Sequence, residues 1–263
     1  MKIIAEIGSN WKTLEDCLLS VERAKESGAD AVKFQLFTQY ELNGSAYDIE
    51  EIGHTPFLHP AWLKDLEEKC NSVGIGFMCT AFSSAGYHLV DPHVKIHKIA
   101  SAEITDLGIL KTVNSFKKPV LLSTGGADFG QIWTALRELG DCKVTLLYCV
   151  TAYPARIVDF GHLMKMKETF GTESSYGYSD HSVDVLNIPN LAQFYGCVWL
   201  EKHVNFTSYD DTNDAPHSLS SKEFALMCKN LKHGVDWSEA FIPCTWQRTW
   251  KTLSDGTQGF FRP

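Results

Sequence analysis

Residues 175–204 read SYGYSDHSVDVLNIPNLAQFYGCVWLEKHV. Two short runs, Ser175–His181 and Val198–Val204, are strand-like, and each closes on a histidine, His181 and His203. The Val183–Tyr195 stretch between them has the length and apolar spacing of a helix. Strand, helix and strand at this spacing make a parallel crossover, so both histidines arrive at the same end of the sheet.

The same unit repeats toward the N-terminus. Strand-like runs fall at Ile3–Gly8, Ala31–Phe37, Gly76–Phe82, Lys95–Ser101, Pro119–Gly125 and Val144–Val150. Helix-like runs fall at Leu14–Ser27, Pro60–Val73, Leu107–Ser115, Gly130–Leu139, Asp159–Phe170 and Ser221–His233, with a short, ambiguous one at Ser84–Pro92. Leu18, Val21 and Ala24 share one face of the first helix and Gly28 follows as its C′ residue. The strands are mostly continuous apolar runs, as in a parallel sheet covered on both faces. Eight such units predict an α/β fold, a (β/α)8 TIM barrel in one domain over residues 1–235. An open doubly wound sheet is the alternative, but EIGSNWK after the first strand lacks the GxGxxG spacing that such a site needs. Residues 236–263, with Trp237, Trp246, Trp250 and Phe260–Phe261, read as a tail packed on the barrel or on a partner subunit.

Composition narrows the function classes. The 263 residues are 44% hydrophobic and 21% charged, an ordinary globular balance. The net charge of −8 comes with dispersed lysines and arginines, which predicts no nucleic-acid groove and no membrane-surface patch. No apolar run reaches the roughly 18 residues of a membrane span, and MKIIAEIGSN carries a glutamate where a secretory leader would be apolar. A cytoplasmic protein is expected. Eight scattered cysteines without a CxxC pair read as free thiols, not as a disulfide framework or a zinc cluster.

Chemistry in such a barrel sits at the C-terminal ends of its strands. Polar residues crowd those ends: Glu6; Lys33 and Gln35; Thr80; Lys98, Ser101 and Glu103; Ser123 and Thr124; Thr151 and Tyr153; Ser179 and His181; Glu201 and His203. The opposite ends are Ala31, Gly76, Pro119 and Val198. Any one of these polar residues alone would be an ordinary rim or capping residue; their crowding at one end is the signal. Lys33, Lys98, Ser101, Ser123 and Ser179 suit a phosphate or carboxylate. His181 and His203 either share a first-row metal ion, manganese being a fitting one, or are each hydrogen-bonded to a neighbouring loop.

Seven motifs in order, IAEIGSN, GADAVKFQ, KIASAEI, PVLLSTGG, YCVTAYP, GYSDHS and LEKHV, resemble the sialic acid synthase family, relatives of N-acetylneuraminate, legionaminate and pseudaminate synthases. The likeness runs from about Ile3 to Phe224. It implies condensation of phosphoenolpyruvate with an N-acylated hexosamine aldehyde to a nine-carbon 2-keto sugar acid, with release of phosphate. By position it implies that Lys33, Lys98, Ser101, Ser123 and Ser179, with Thr80 and Thr151 nearby, hold phosphoenolpyruvate. His181 and His203 would hold a divalent metal, manganese foremost, with magnesium or cobalt as alternatives. Glu6, Gln35, Glu103, Tyr153 and Asp214 would meet the sugar or position the reacting groups, with Glu103, Glu6 and Tyr153 as the catalytic set. A homodimer is a further implication.

Departures from the family pattern concentrate on the sugar side. The first loop reads Asn10-Trp11-Lys12-Thr13 in place of Asn-His-x-Gly, Thr151 replaces an asparagine, and Ala215 stands where a histidine commonly follows the late aspartate. The family's C-terminal antifreeze-like domain, which offers an arginine to the acyl group, is not expected within these residues; Arg248 or Arg262 is the candidate substitute. The acceptor is therefore open. Two rivals remain: a phosphoenolpyruvate aldolase with a phosphosugar acceptor, for which few strand-end arginines are visible, and a non-catalytic ligand-binding barrel.

Overall fold

The computed structural model describes residues 1–38, 41, 57–171, 174–234, 249–252 and 258–261. The chain alternates β1 (Lys2–Glu6), α1 (Leu14–Glu26), β2 (Ala31–Leu36), α2 (Trp62–Val73), β3 (Gly76–Ala81), α3 (Ser84–Val90), β4 (His97–Ile99) and α4 (Leu107–Ser115). It continues with β5 (Val120–Ser123), α5 (Phe129–Glu138), β6 (Val144–Cys149), α6 (Phe160–Phe170), β7 (Ser175–Asp180), α7 (Asn187–Phe194) and β8 (Trp199–Asn205). The strands pair in sequence order, all parallel, and β8 closes on β1 with Glu6 opposite His203. The expected eight-stranded barrel is what forms. A two-residue strand, β9 (Leu219–Ser220), pairs in parallel with the end of β8 before α8 (Ser221–His233).

Local chemistry explains the boundaries. Thr13 caps α1 in a capping box with Asp16, and Gly28 takes a φ of 94° just past its end. Asp128 and Gln131 repeat the capping box at α5. Several elements are shorter than their sequences predict, two of them for reasons visible in the local hydrogen bonding and turns. Helix α7 begins at Asn187, not Val183, because the Asp184 carboxylate accepts the backbone N–H groups of Leu186 and Ile188 at 2.9 and 3.1 Å and holds the preceding residues as a loop. Strand β4 ends at Ile99 because Ser101–Glu103 turns into a 3-10 helix.

Two cores hold the barrel. A small plug inside it contains Ile4, Ala31, Met78, Leu121 and Leu147, with Trp199 against it. A larger shell lies between sheet and helices. Burying each such side chain contributes roughly 1.5–3 kcal/mol, so the rim above the plug can carry polar groups without the fold depending on them. The seven described cysteines are free thiols. No described helix is long and apolar enough to cross a membrane.

The chain separates into compact units Met1–Lys232 and His233–Pro263. In the second, β10 (Thr249–Thr252) and β11 (Gln258–Phe261) form an antiparallel pair. Trp237, Trp246, Arg248 and Arg262 lie outside the described residues.

Candidate active site

At the C-terminal mouth of the barrel lies a cavity of about 520 Å³. All the residues predicted for the site line it, except Thr80 and Glu103. Their placement follows from register. Glu6 is the ladder partner of Lys33 on one side and of His203 on the other, and Ser179 is that of Glu201. Inward positions alternate with outward ones, so Glu201 and His203 face the cavity while Lys202 between them faces the helices.

The floor is a buried charge network. Lys33 Nζ sits 2.7 Å from Glu6 Oε2 and 3.7 Å from Glu201 Oε2, and Lys98 Nζ sits 3.5 Å from Glu201 Oε1. Glu201 thus bridges the two lysines that begin far apart in sequence. Burial alone would raise both carboxyls. For Glu201 the pull of Lys33 and Lys98 wins and holds it down at about 2, fully ionised. For Glu6 burial wins over Lys33, and the charge of Glu201 adds to it, so its pKa is raised. Burial likewise depresses Lys98, whereas the two glutamates outweigh burial at Lys33. Thr80, behind the lining, accepts from Lys33 Nζ at 3.2 Å and steers the ammonium. Gln35 donates to Glu6 Oε1 at 2.6 Å.

A hydroxyl wall faces this floor. Ser123 Oγ is buried without a protein partner. Ser101 Oγ accepts from the Gly125 N–H at 3.0 Å. Gly125 must lack a side chain, since a Cβ there would stand 2.4 Å from Cys149 Sγ and 2.7 Å from the Thr151 methyl. Glu103 ends the Ser101–Glu103 turn, half-buried; burial, with Asp106 and Glu41, raises its pKa.

The far wall is imidazole and phenol. His181 and His203 have ring centroids 5.7 Å apart, and Tyr153 stacks on His181 at 4.1 Å. His181 Nδ1–H donates to the Val150 carbonyl at 2.7 Å, which leaves the lone pair on Nε2, 3.5 Å from Ser179 Oγ. His203 Nδ1 is buried with no hydrogen-bond partner. Burial depresses the pKa of His181, and that of His203 to about 3, so both rings stand neutral. Two neutral, buried imidazoles at one mouth are a donor set that fits a divalent first-row cation.

A model of the NeuB family matches residues 20–236 of this chain. The chain belongs to the NeuB family. Among its NeuB relatives, the pseudaminic acid synthase of Helicobacter pylori is 31% identical over 89% of this chain and 74% of its own length. The N,N'-diacetyllegionaminic acid synthase of Legionella pneumophila is 34% identical over 91% of this chain and 72% of its own. The crystal structure of N-acetylneuraminic acid synthetase from Leptospira borgpetersenii superposes with a TM-score of 0.81 at 28% identity, covering 88% of this chain and 82% of that one.

Among the cavity residues outside the sequence-derived site set, three bear titratable groups. Glu201 is visible as a strand-end residue, but its bridging of Lys33 and Lys98 appears only when the barrel closes. Cys149 reads as a plain buried thiol, yet lies 3.1 Å from Ser101 Oγ on the cavity wall. His217 lies beyond the last barrel strand, in the 3-10 turn Ala215–His217, where no strand periodicity marks it. The Asp214-x-x-His217 spacing is the signal that could have found it.

Proposed function

We propose that this NeuB family member condenses phosphoenolpyruvate with the aldehyde of an open-chain N-acyl hexosamine, giving a 2-keto-3-deoxy sugar acid and phosphate. The observation that carries the reading is the joining of Lys33 and Lys98 through Glu201 at one buried mouth, beside the partnerless Ser123 hydroxyl. Two ammonium groups and a row of hydroxyls suit the phosphate and carboxylate of that trianion. The names of the relatives, synthases of pseudaminic, legionaminic and neuraminic acids, point to the same substrate class.

In this reading Lys33, Lys98, Ser101, Ser123 and Ser179 fix phosphoenolpyruvate, which removes much of the entropic barrier to joining two reactants. C3 forms the new bond to the aldehyde carbon, and C2 becomes oxocarbenium-like. Glu201, ionised and facing the cavity, stabilises that positive centre. Water adds at C2, and the C2–O bond to phosphate breaks to leave the ketone. Glu6, with its raised pKa, is the carboxyl suited to exchange protons with the attacking water or the new alkoxide. Tyr153, exposed above His181, meets the sugar. A divalent cation, manganese first among the candidates, held by His203 and its neighbours would supply Lewis-acid polarisation of the aldehyde oxygen. The test is phosphate release from phosphoenolpyruvate across a panel of N-acyl amino-sugar aldehydes, with and without Mn²⁺. Release that depends on the aldehyde supports the reading. Release only with phosphosugar acceptors would favour the aldolase alternative, and no release with any acceptor a binding role.

A further inference from the structure

On the far wall, His203 Nδ1, Asp214 Oδ1 and His217 Nε2 converge. His203 Nδ1 lies 3.8 Å from Asp214 Oδ1, and His217 Nε2 lies 3.0 Å from the same oxygen. One donor atom from each residue falls within 4.8 Å of the others, and the two imidazole rings are 4.7 Å apart at 71°. We infer that the cation site of this chain is a three-donor set of His203, Asp214 and His217, completed from the loop after β8, and not the His181–His203 pair alone.

The simpler account is that Asp214 and His217 merely clip the loop. Two observations argue against it. The loop is already clipped by the other carboxylate oxygen: Asp214 Oδ2 accepts from Ser9 N at 2.6 Å and Ser9 Oγ at 2.8 Å. It is clipped again by Asn10, which donates to Val204 O and Ser218 Oγ and accepts from Thr212 Oγ1. A clip also gives no reason for a buried His203 Nδ1 to face Asp214 Oδ1 with no hydrogen-bond partner of its own. The support behind the carboxylate is specific as well. Gly8 takes a φ of 55°, and a Cβ there would stand 2.3 Å from Asp214 Oδ2, so Asp214 fits only over a glycine. This is the outer-layer support that orients a ligating carboxylate. Two imidazoles and one carboxylate with open positions suit a borderline first-row divalent ion.

The inference rests on the reading that this mouth takes a divalent cation, but its test measures binding, not turnover. Mn²⁺ alone is titrated into the full chain by electron paramagnetic resonance, for the unchanged protein, His217→Phe and His181→Phe. A rise in Kd of tenfold or more for His217→Phe, with an unchanged thermal midpoint, is expected. A change under twofold overturns the proposal whatever His181→Phe does. His217→Cys loaded with Co²⁺ gives a second readout that does not depend on that comparison. A sulfur-to-cobalt charge-transfer band, absent from the unchanged protein despite its nearby Cys149, places residue 217 on the ion, and its absence overturns the assignment. Should phosphate release fail while Mn²⁺ binding behaves as described, the catalytic reading falls and the ligand set stands.

Discussion

Asp180 and Lys202 are ladder partners on β7 and β8, their side chains meet at 2.6 Å, and both are fully buried on the outer face of the barrel. Each immediately precedes a histidine of the site, His181 or His203. Ser182 closes the arrangement: its hydroxyl lies 3.1 Å from Lys202 Nζ, and its N–H donates to Asp180 Oδ1 at 2.8 Å. A one-residue slip of β7 against β8 would break this pair and leave the two histidines on opposite faces of the sheet.

Removing one partner leaves a bare buried charge. Asp180→Leu or Lys202→Met alone should each cost about 3–5 kcal/mol, while the double variant, apolar on both sides, should recover most of that. Urea denaturation of the four proteins measures the cycle. Additive losses would mean that the pair does not act as a unit.

Ser123 separates binding from stability. Its hydroxyl is buried with no protein partner, and such a group costs the fold roughly 1–3 kcal/mol. Ser123→Ala should therefore leave the melting temperature unchanged or raised while increasing KM for phosphoenolpyruvate. Lys98→Met, which removes a charge-assisted donor, should raise that KM by about 10- to 100-fold, in line with 1.5–3 kcal/mol for such contacts.

Glu201 and Glu103 are distinguishable by kinetics. Glu201 faces the cavity between two lysines, whereas Glu103 ends a turn outside the described lining. Glu201→Gln should lower kcat by two orders of magnitude or more, and Glu103→Gln by less. The reverse ranking would give the charge-stabilising role to Glu103, a member of the catalytic set that the resemblance implies.

His97 makes stability depend on pH. It is fully buried, stacked on Phe116 at 5.2 Å, with Nε2 3.0 Å from Asp91 Oδ1. Burial lowers its pKa by more than Asp91 restores, so the contact is a hydrogen bond from a neutral ring. The unfolded chain then takes up a proton near pH 6.5 that the folded chain refuses. This contribution is complete above about pH 6.5 and is lost as pH falls toward the depressed folded value. His97→Phe should flatten the fall in thermal midpoint between about pH 6.5 and 5, and an unchanged slope would remove His97 as its source. His181 and His203 act in the same direction, so the slope should shrink but not vanish.

Much of this was legible beforehand because strands and helices announce themselves by period and the rim by position. Lys33, Lys98, Ser179, His181 and His203 all sit on regular strands, so one assumption about direction brought them together. The sequence places Glu103 just past the Lys95–Ser101 strand, at the rim, but the chain turns at Ser101, which moves it off the lining. His217 and the role of Asp214 beside it depend on a loop path that Asn10 and Ser9 dictate from the other end of the sequence. No local pattern encodes a contact between residues about two hundred positions apart.

The central claim is that this mouth breaks the C–O bond of phosphoenolpyruvate while joining it to a sugar aldehyde. Phosphoenolpyruvate labelled with ¹⁸O at the bridging position, incubated with the Mn²⁺-loaded protein and an N-acyl amino-sugar aldehyde, tests it directly. The account predicts that the released phosphate retains the label and appears in equal amount with a 2-keto sugar acid. Label left on the carbon product, or phosphate formed equally well without the aldehyde, would contradict it.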